Sequence, residues 1–100
     1  MEYILFIHKN TDSASTSQQW DEFFIAANES DLFVGGSEIA NQVRIGDKPV
    51  RKITDYIGGF MRFKSKDKNI LLELLKKHPV VMQGGTIELC EMPKSENKTE

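Results

Sequence analysis

The apolar residues of this chain recur with two different periods, and the switches between those periods lay out its elements. Tyr3-Ile4-Leu5-Phe6-Ile7 is a β-prone run ending at the polar His8-Lys9-Asn10, which predicts a first strand. Alternation puts Tyr3, Leu5 and Ile7 on one face and Ile4 and Phe6 on the other, so both faces need cover. The polar loop 10–16 offers two capping-box spacings, Thr16 with Gln19 and Ser15 with Gln18. From about Gln18 to about Asn28 the spacing turns helical. Trp20, Phe23, Phe24 and Ala27 share one face, while Gln19, Asp21 and Glu22 share the other.

Leu32–Val34 begins a second strand, which Gly35-Gly36 interrupts and Ser37–Ala40 resumes. Gln42–Ile45 and Pro49–Ile53 flank a Gly46-Asp47-Lys48 turn and predict a small hairpin. Pro49 places that hairpin at an edge, because proline cannot donate to a central ladder. The stretch Ile53–Phe63 organises the rest: Thr54-Asp55 leads through Gly58-Gly59 into an apolar, aromatic strand, Tyr56–Phe63. Adjacent glycines inside a strand mark a bulge or the close approach of another backbone or a ligand. Ser65 is the expected N-cap of a second helix, with Asp67 in its first turn. Ile70, Leu71, Leu74 and Leu75 form its expected buried stripe, Lys76, Lys77 and His78 its last turn, and Pro79 its stop. Beyond Val80–Met82 and a Gln83-Gly84-Gly85 turn, Thr86–Met92 predicts the last strand, with Ile87 and Leu89 facing one way and Glu88, Cys90 and Met92 the other. Pro93 ends it, and the tail 94–100, without an apolar residue, is expected to be disordered.

This order predicts an α+β fold: a ferredoxin-like βαββαβ domain over residues 1–93, with both helices on one side of a four-stranded antiparallel sheet. That arrangement leaves one sheet face bare, in conflict with the two-sided apolarity of the first strand. A homodimer with its sheets packed face to face, a dimeric α+β barrel, removes the conflict. Size points the same way, since a 100-residue domain hides only about 60–68% of its unfolded surface. Thirteen basic against fifteen acidic residues, a net charge of −2, leave no electrostatic footprint for nucleic acid or an anionic membrane. The longest apolar run, Tyr3–Ile7, is far short of the roughly 20 residues of a membrane span. Glu2 stands where a signal peptide would be basic, and a cytoplasmic protein is expected. Cys90 is the sole cysteine, which excludes an intrachain disulfide and a multi-cysteine metal cluster.

Catalytic signatures are sparse. Neither a glycine-rich phosphate loop nor a Ser-His-Asp or His-x-x-x-His spacing occurs, and no cofactor or metal is expected. His8, ending the first strand, either points into a cleft or is an ordinary strand-end residue. Asp55 either orients a histidine or forms a turn, and His78 reads as a helix C-terminal residue. Arg44, Tyr56 and Arg62 are the candidate ligand contacts. Arg62 sits in an apolar run, snorkelling at an edge or set in a cleft. Arg44, Lys48, Arg51 and Lys52 make the hairpin basic, as edge protection or as an anion-binding rim. Cys90 has no basic sequence neighbour to activate it and reads as a structural thiol. The aromatic stripe of the first helix reads as core packing.

Several blocks in order resemble the YCII-related proteins, in the branch named for an Asp-Gly-Pro-Phe motif. They are Met1–Ile7, Trp20, Leu32-Phe33-Val34-Gly35-Gly36, Ile53-Thr54-Asp55 with Ile57-Gly58-Gly59-Phe60, and His78-Pro79 through Gly84–Glu88. The likeness covers about residues 1–93. It implies a ferredoxin-like subunit of a dimeric α+β barrel, with a cleft proposed as an active site. The chain departs from the family where Thr54-Asp55 runs directly into Tyr56-Ile57-Gly58-Gly59, so the signature loop is missing and only Asp55 remains of it. Relatives with a His-Asp pair carry the histidine near the first helix, and that helix has none here. The preferred reading is a dimer that binds a small polar or aromatic molecule beside strand 56–63. The alternative is a small enzyme using His8 as general base and Asp55 as its orienting partner on an aromatic or carbonyl compound. A third is an interaction domain working through the Arg44–Lys52 hairpin.

Overall fold

Residues 1–51 and 53–94 are described by a computed structural model; Lys52, the side chain of Ile53 and positions 95–100 of the expected tail lie outside the described residues. Along the chain come β1 (Glu2–His8), α1 (Ser17–Glu29), β2 (Phe33–Glu38), a 3-10 turn (Ile53–Tyr56), β3 (Ile57–Lys64), α2 (Lys68–Leu75), a one-turn helix α3 (Pro79–Met82) and β4 (Ile87–Met92). The strands form one sheet in the order β2-β3-β1-β4, antiparallel at every pairing. This is the α+β, ferredoxin-like arrangement that the alternating periods predict.

Capping starts α1: Thr16 accepts the Gln19 N–H while the Gln19 side chain accepts the Thr16 N–H, a reciprocal box worth about 1 kcal/mol. Its end needs no glycine, because Ser30 donates to the Ala27 carbonyl and accepts from the Leu32 N–H, and Asp31 turns the chain at φ 60°. The core is one cluster between α1, α2 and the helix-facing side of the sheet, built on Tyr3, Leu5, Phe23, Ala27, Met61, Phe63, Leu71 and Leu75. On the opposite side, Ile4, Phe6, Phe60, Cys90 and Met92 are half-buried with no layer over them. The molecule is only 17 Å across in its thinnest direction, the depth of one sheet and one helix layer.

The glycine-rich strands pair at close quarters. A Cβ on Gly59 would lie 2.8 Å from the Ser37 carbonyl oxygen, and one on Gly36 would overlap the Phe60 carbonyl. Gly58 is the extra residue where β1 changes register, between the Ile7–Gly59 and His8–Ile57 pairs. The bulge and the close approach expected of this pair are both present.

Four local expectations are corrected. Residues 39–51 form no hairpin ladder. They leave the sheet as an arm, tied back by Gln42 to the Thr54 carbonyl and by Arg44 to Thr54 and Asp55; side-chain ties replace the ladder. Tyr56 closes the 3-10 turn and does not begin β3. Asp67, not Ser65, caps α2 by accepting the Asn69 N–H, and Ser65 is buried under the turn that it braces through Asp67. With α2 starting at Lys68, Leu71, Leu74 and Leu75 face the core and Ile70 falls on its flank, 58% exposed. His78 is not a solvated helix-end cation. It caps the start of α3, its Nδ1 accepting the Val80 N–H at 3.1 Å, and is completely buried.

Candidate functional site

A cleft of about 430 Å³ opens between α1 and the sheet at the His8 end of β1. The helical spacing that makes α1 amphipathic also sets one wall. Trp20 and Phe24, four residues apart, stack with ring centroids 5.7 Å apart and planes at 30°. Phe24 meets Phe33 of β2 at 5.9 Å and Phe33 meets Phe63 of β3 at 5.5 Å, so an aromatic row runs from the cleft into the core. Ile7, Met61 and the bare backbone of Gly36 and Gly59 form the floor, and His8, Lys9, Ser37 and Glu38 the rim. Rings on one side and glycine backbone on the other leave a space suited to a flat apolar body, with hydrogen-bonding and charged groups at one end.

His78 stands behind the Trp20 wall. Its ring meets Trp20 edge to face, with centroids 5.1 Å apart and planes at 82°, and Phe23 at 4.8 Å. Nδ1 accepts the Val80 N–H, so the ring proton sits on Nε2, which has no nitrogen or oxygen partner among the described residues. Burial without a compensating anion favours the neutral ring and lowers its pKa from 6.5 to about 4. His78 holds the wall and does not touch the cleft.

The sequence candidates separate in space. His8 reaches the cleft rim, and its Nε2 pairs with Glu88 of β4 at 3.0 Å. Asp55 is engaged by Arg44 at 3.2 Å. Arg62 pairs with Glu2 at 3.2 Å on the open sheet face, and Tyr56 is exposed in the 3-10 turn. Arg44, Asp55, Tyr56 and Arg62 are absent from the cleft lining. Sequence reading missed Glu88 as the partner of His8, since eighty positions separate them and only the β1–β4 register joins them. It also missed Trp20 and Phe24 as a ligand wall, because a helical aromatic stripe looks the same whether it seals a core or lines a cleft. Among the described residues no three His, Cys, Asp or Glu side chains group as a metal site, and no helix is long and apolar enough to cross a membrane.

No family model matches the chain, and no curated protein matches it either. Among solved structures it is similar to the 5-chloro-2-hydroxyhydroquinone dehydrochlorinase TftG of Burkholderia phenoliruptrix in complex with 2,5-dihydroxybenzoquinone, with a TM-score of 0.54 and 8% identity over 96% of this chain and 97% of that one. A second, weaker similarity is to At3g17210 of Arabidopsis thaliana, with a TM-score of 0.47 and 11% identity over 96% and 97% of the two chains. At such low identity the first likeness speaks for the fold.

Proposed function

We propose that this chain acts as a homodimer that binds a small planar aromatic molecule in the cleft beside β3. The observation that carries the reading is the cleft itself: stacked Trp20 and Phe24 face the glycine backbone of β2 and β3, with the polar groups gathered at one rim. A flat ring fits this shape, and the quinone held by TftG is a molecule of that kind. The dimer is supported by the uncovered sheet face, where Ile4, Phe6, Phe60 and Met92 would pack against a second copy at the usual spacing of about 10 Å. Membership among the YCII-related proteins and a cytoplasmic setting belong to the same reading.

The test uses the chain's single tryptophan, which lines the cleft. Titration with a panel of hydroxylated and carboxylated benzenes, quinones and size-matched aliphatic acids should quench Trp20 fluorescence and raise the melting temperature for planar ligands only. A Phe24→Ala variant should bind at least tenfold more weakly. A panel in which no aromatic compound moves either signal refutes the reading.

An enzymatic reading has one specific observation in its favour, the His8–Glu88 pair at the rim. A carboxylate on Nε2 would hold Nδ1 as the free base, ready to take a proton from a bound ligand. In this form Glu88 replaces Asp55 as the orienting group. His8→Asn should then abolish turnover of a bound ligand while leaving its affinity within threefold; unchanged turnover refutes it.

A further inference from the structure

Between β2 and the 3-10 turn the arm 39–51 exposes more apolar surface than any solvated loop needs. Val43 is 83% exposed, Ile45 97% and Val50 63%. Arg44, which lies between two of them, turns the other way to Asp55. The alternation of Val43 and Ile45 against Arg44 is that of a strand with no partner. Arg44, Lys48 and Arg51 against the single Asp47 give the arm a charge of +2, in a chain whose total is −2.

A matching feature lies at the far side of the sheet. β4 is an edge strand whose outer backbone groups have no partner among the described strands. It carries Glu88 and Glu91 and no basic residue, so it lacks the lysines or prolines that usually guard such an edge. The arm does not easily reach this edge within its own subunit, because β3 and β1 stand between β2 and β4, a distance of about 14 Å at the usual strand spacing. Two sheets packed face to face about a two-fold axis along their strands bring the β2 edge of each over the β4 edge of the other. The seven residues from Ile45 to Arg51, doubled back, extend about 10 Å beyond the Arg44 tie, which matches the separation of packed sheets.

Surface area agrees. The chain exposes 7538 Å², against about 5,800 Å² for a compact monomer of its 11.4 kDa mass. The excess is about twice the ~800 Å² that one partner contributes to a standard interface, which leaves ample room even with a share set aside for the residues outside the described range.

We propose that the arm of each subunit adds as an extra strand to the β4 edge of a second copy of this chain, apolar face inward and basic groups toward Glu88 and Glu91. The inference rests on the proposed homodimer and specifies what closes it. Main-chain hydrogen bonds supply affinity in such strand addition, and alternate side chains supply register. Glu88, the partner of His8 at the cleft rim, then lies under the other subunit's arm, so assembly and the rim are linked.

The native Cys90, on β4 with its side chain on the open face, makes the test direct. Val43→Cys, Arg44→Cys and Ile45→Cys variants are oxidised in the full chain and run on non-reducing gels, with dimerisation followed by sedimentation. A covalent dimer from Val43→Cys or Ile45→Cys but not from Arg44→Cys, lost when Cys90 is replaced by serine, is the expected two-residue signature. K48E/R51E and E88K/E91K should each weaken dimerisation at least tenfold, and an equimolar mixture should regain wild-type affinity, since both contacts are then opposite in charge again. A wild-type protein that sediments as a monomer overturns the dimer reading and this inference with it. A dimer whose affinity ignores the charge reversals and that forms no intersubunit disulfide overturns the arm alone. A disulfide within one chain overturns it too, because the arm would then fold on its own subunit.

Discussion

Replacing His78 with asparagine separates the two things this residue does, because asparagine keeps an acceptor for the Val80 N–H and loses the titrating ring. In the folded protein the His78 pKa is lowered from 6.5 to about 4 by burial, and the residues it packs on, Trp20 and Phe23, carry no charge. The unfolded chain therefore takes up a proton as pH falls through 6.5, while the folded chain refuses it until pH 4. Stability is complete above the unfolded value and is lost as pH falls between the two. With a folded pKa near 4 the loss is about 2 kcal/mol from pH 7 to pH 5 and about 3 kcal/mol once pH passes below 4. Against a total stability of about 5–15 kcal/mol for a domain of this kind, that is a large share from one side chain. Urea unfolding at pH 7, 6 and 5, read by Trp20 fluorescence and by circular dichroism, measures it. Carboxylates and His8 titrate in both proteins, so the difference between their pH slopes isolates position 78. The asparagine variant should be less stable at pH 7, through lost packing against the two rings, yet nearly 2 kcal/mol flatter between pH 7 and pH 5. Parallel pH profiles would refute the argument, since a ring that charges in place without penalty is not buried as described.

The two neighbouring glycines of β3 should respond very differently to alanine. Gly59→Ala puts a methyl 2.8 Å from the Ser37 carbonyl, where two backbones must part, and should cost about 2–3 kcal/mol; Gly58→Ala meets only the flexible Lys9 stem at 3.3 Å and should cost under about 1 kcal/mol. Denaturant midpoints compare them, and equal losses would mean that the β2–β3 approach is not tight. Truncating the fully buried Phe63 to alanine should remove about 3–5 kcal/mol. The same change at the exposed Ile70 should stay within about 0.5 kcal/mol, so a large loss at Ile70 in the same unfolding assay would restore it to the core.

Much of the architecture could be read before any coordinates. The 3.6-residue recurrence of Trp20, Phe23, Phe24 and Ala27 located α1, the Thr16–Gln19 box its start, and the period of two in residues 3–7 and 86–92 the strands β1 and β4. These signals are legible because each is written in residues a few positions apart. Where neighbouring signals competed, the reading slipped by one step. Ser65 and Asp67 both make caps, and the one whose side chain meets a free N–H was chosen by where α2 docks. The arm has turn and strand residues enough for a hairpin, but its Gln42 and Arg44 side chains found partners in the 3-10 turn instead.

The candidate site was less legible. His8 was singled out from its place at a strand end, yet its partner was sought at Asp55 and lies at Glu88, across a register that no local pattern carries. Trp20 and Phe24 were visible as an apolar stripe, but a stripe does not say how much of its length the sheet covers. Sequence period settles which residues share a face, because backbone geometry repeats over two or 3.6 residues. What each face meets is settled only when four strands take their order and twist, since those choices depend on packing among residues fifty to eighty positions apart. That is why the element order followed from the chain alone, and why the cleft, the buried neutral His78 and the His8–Glu88 pair came only with the tertiary structure.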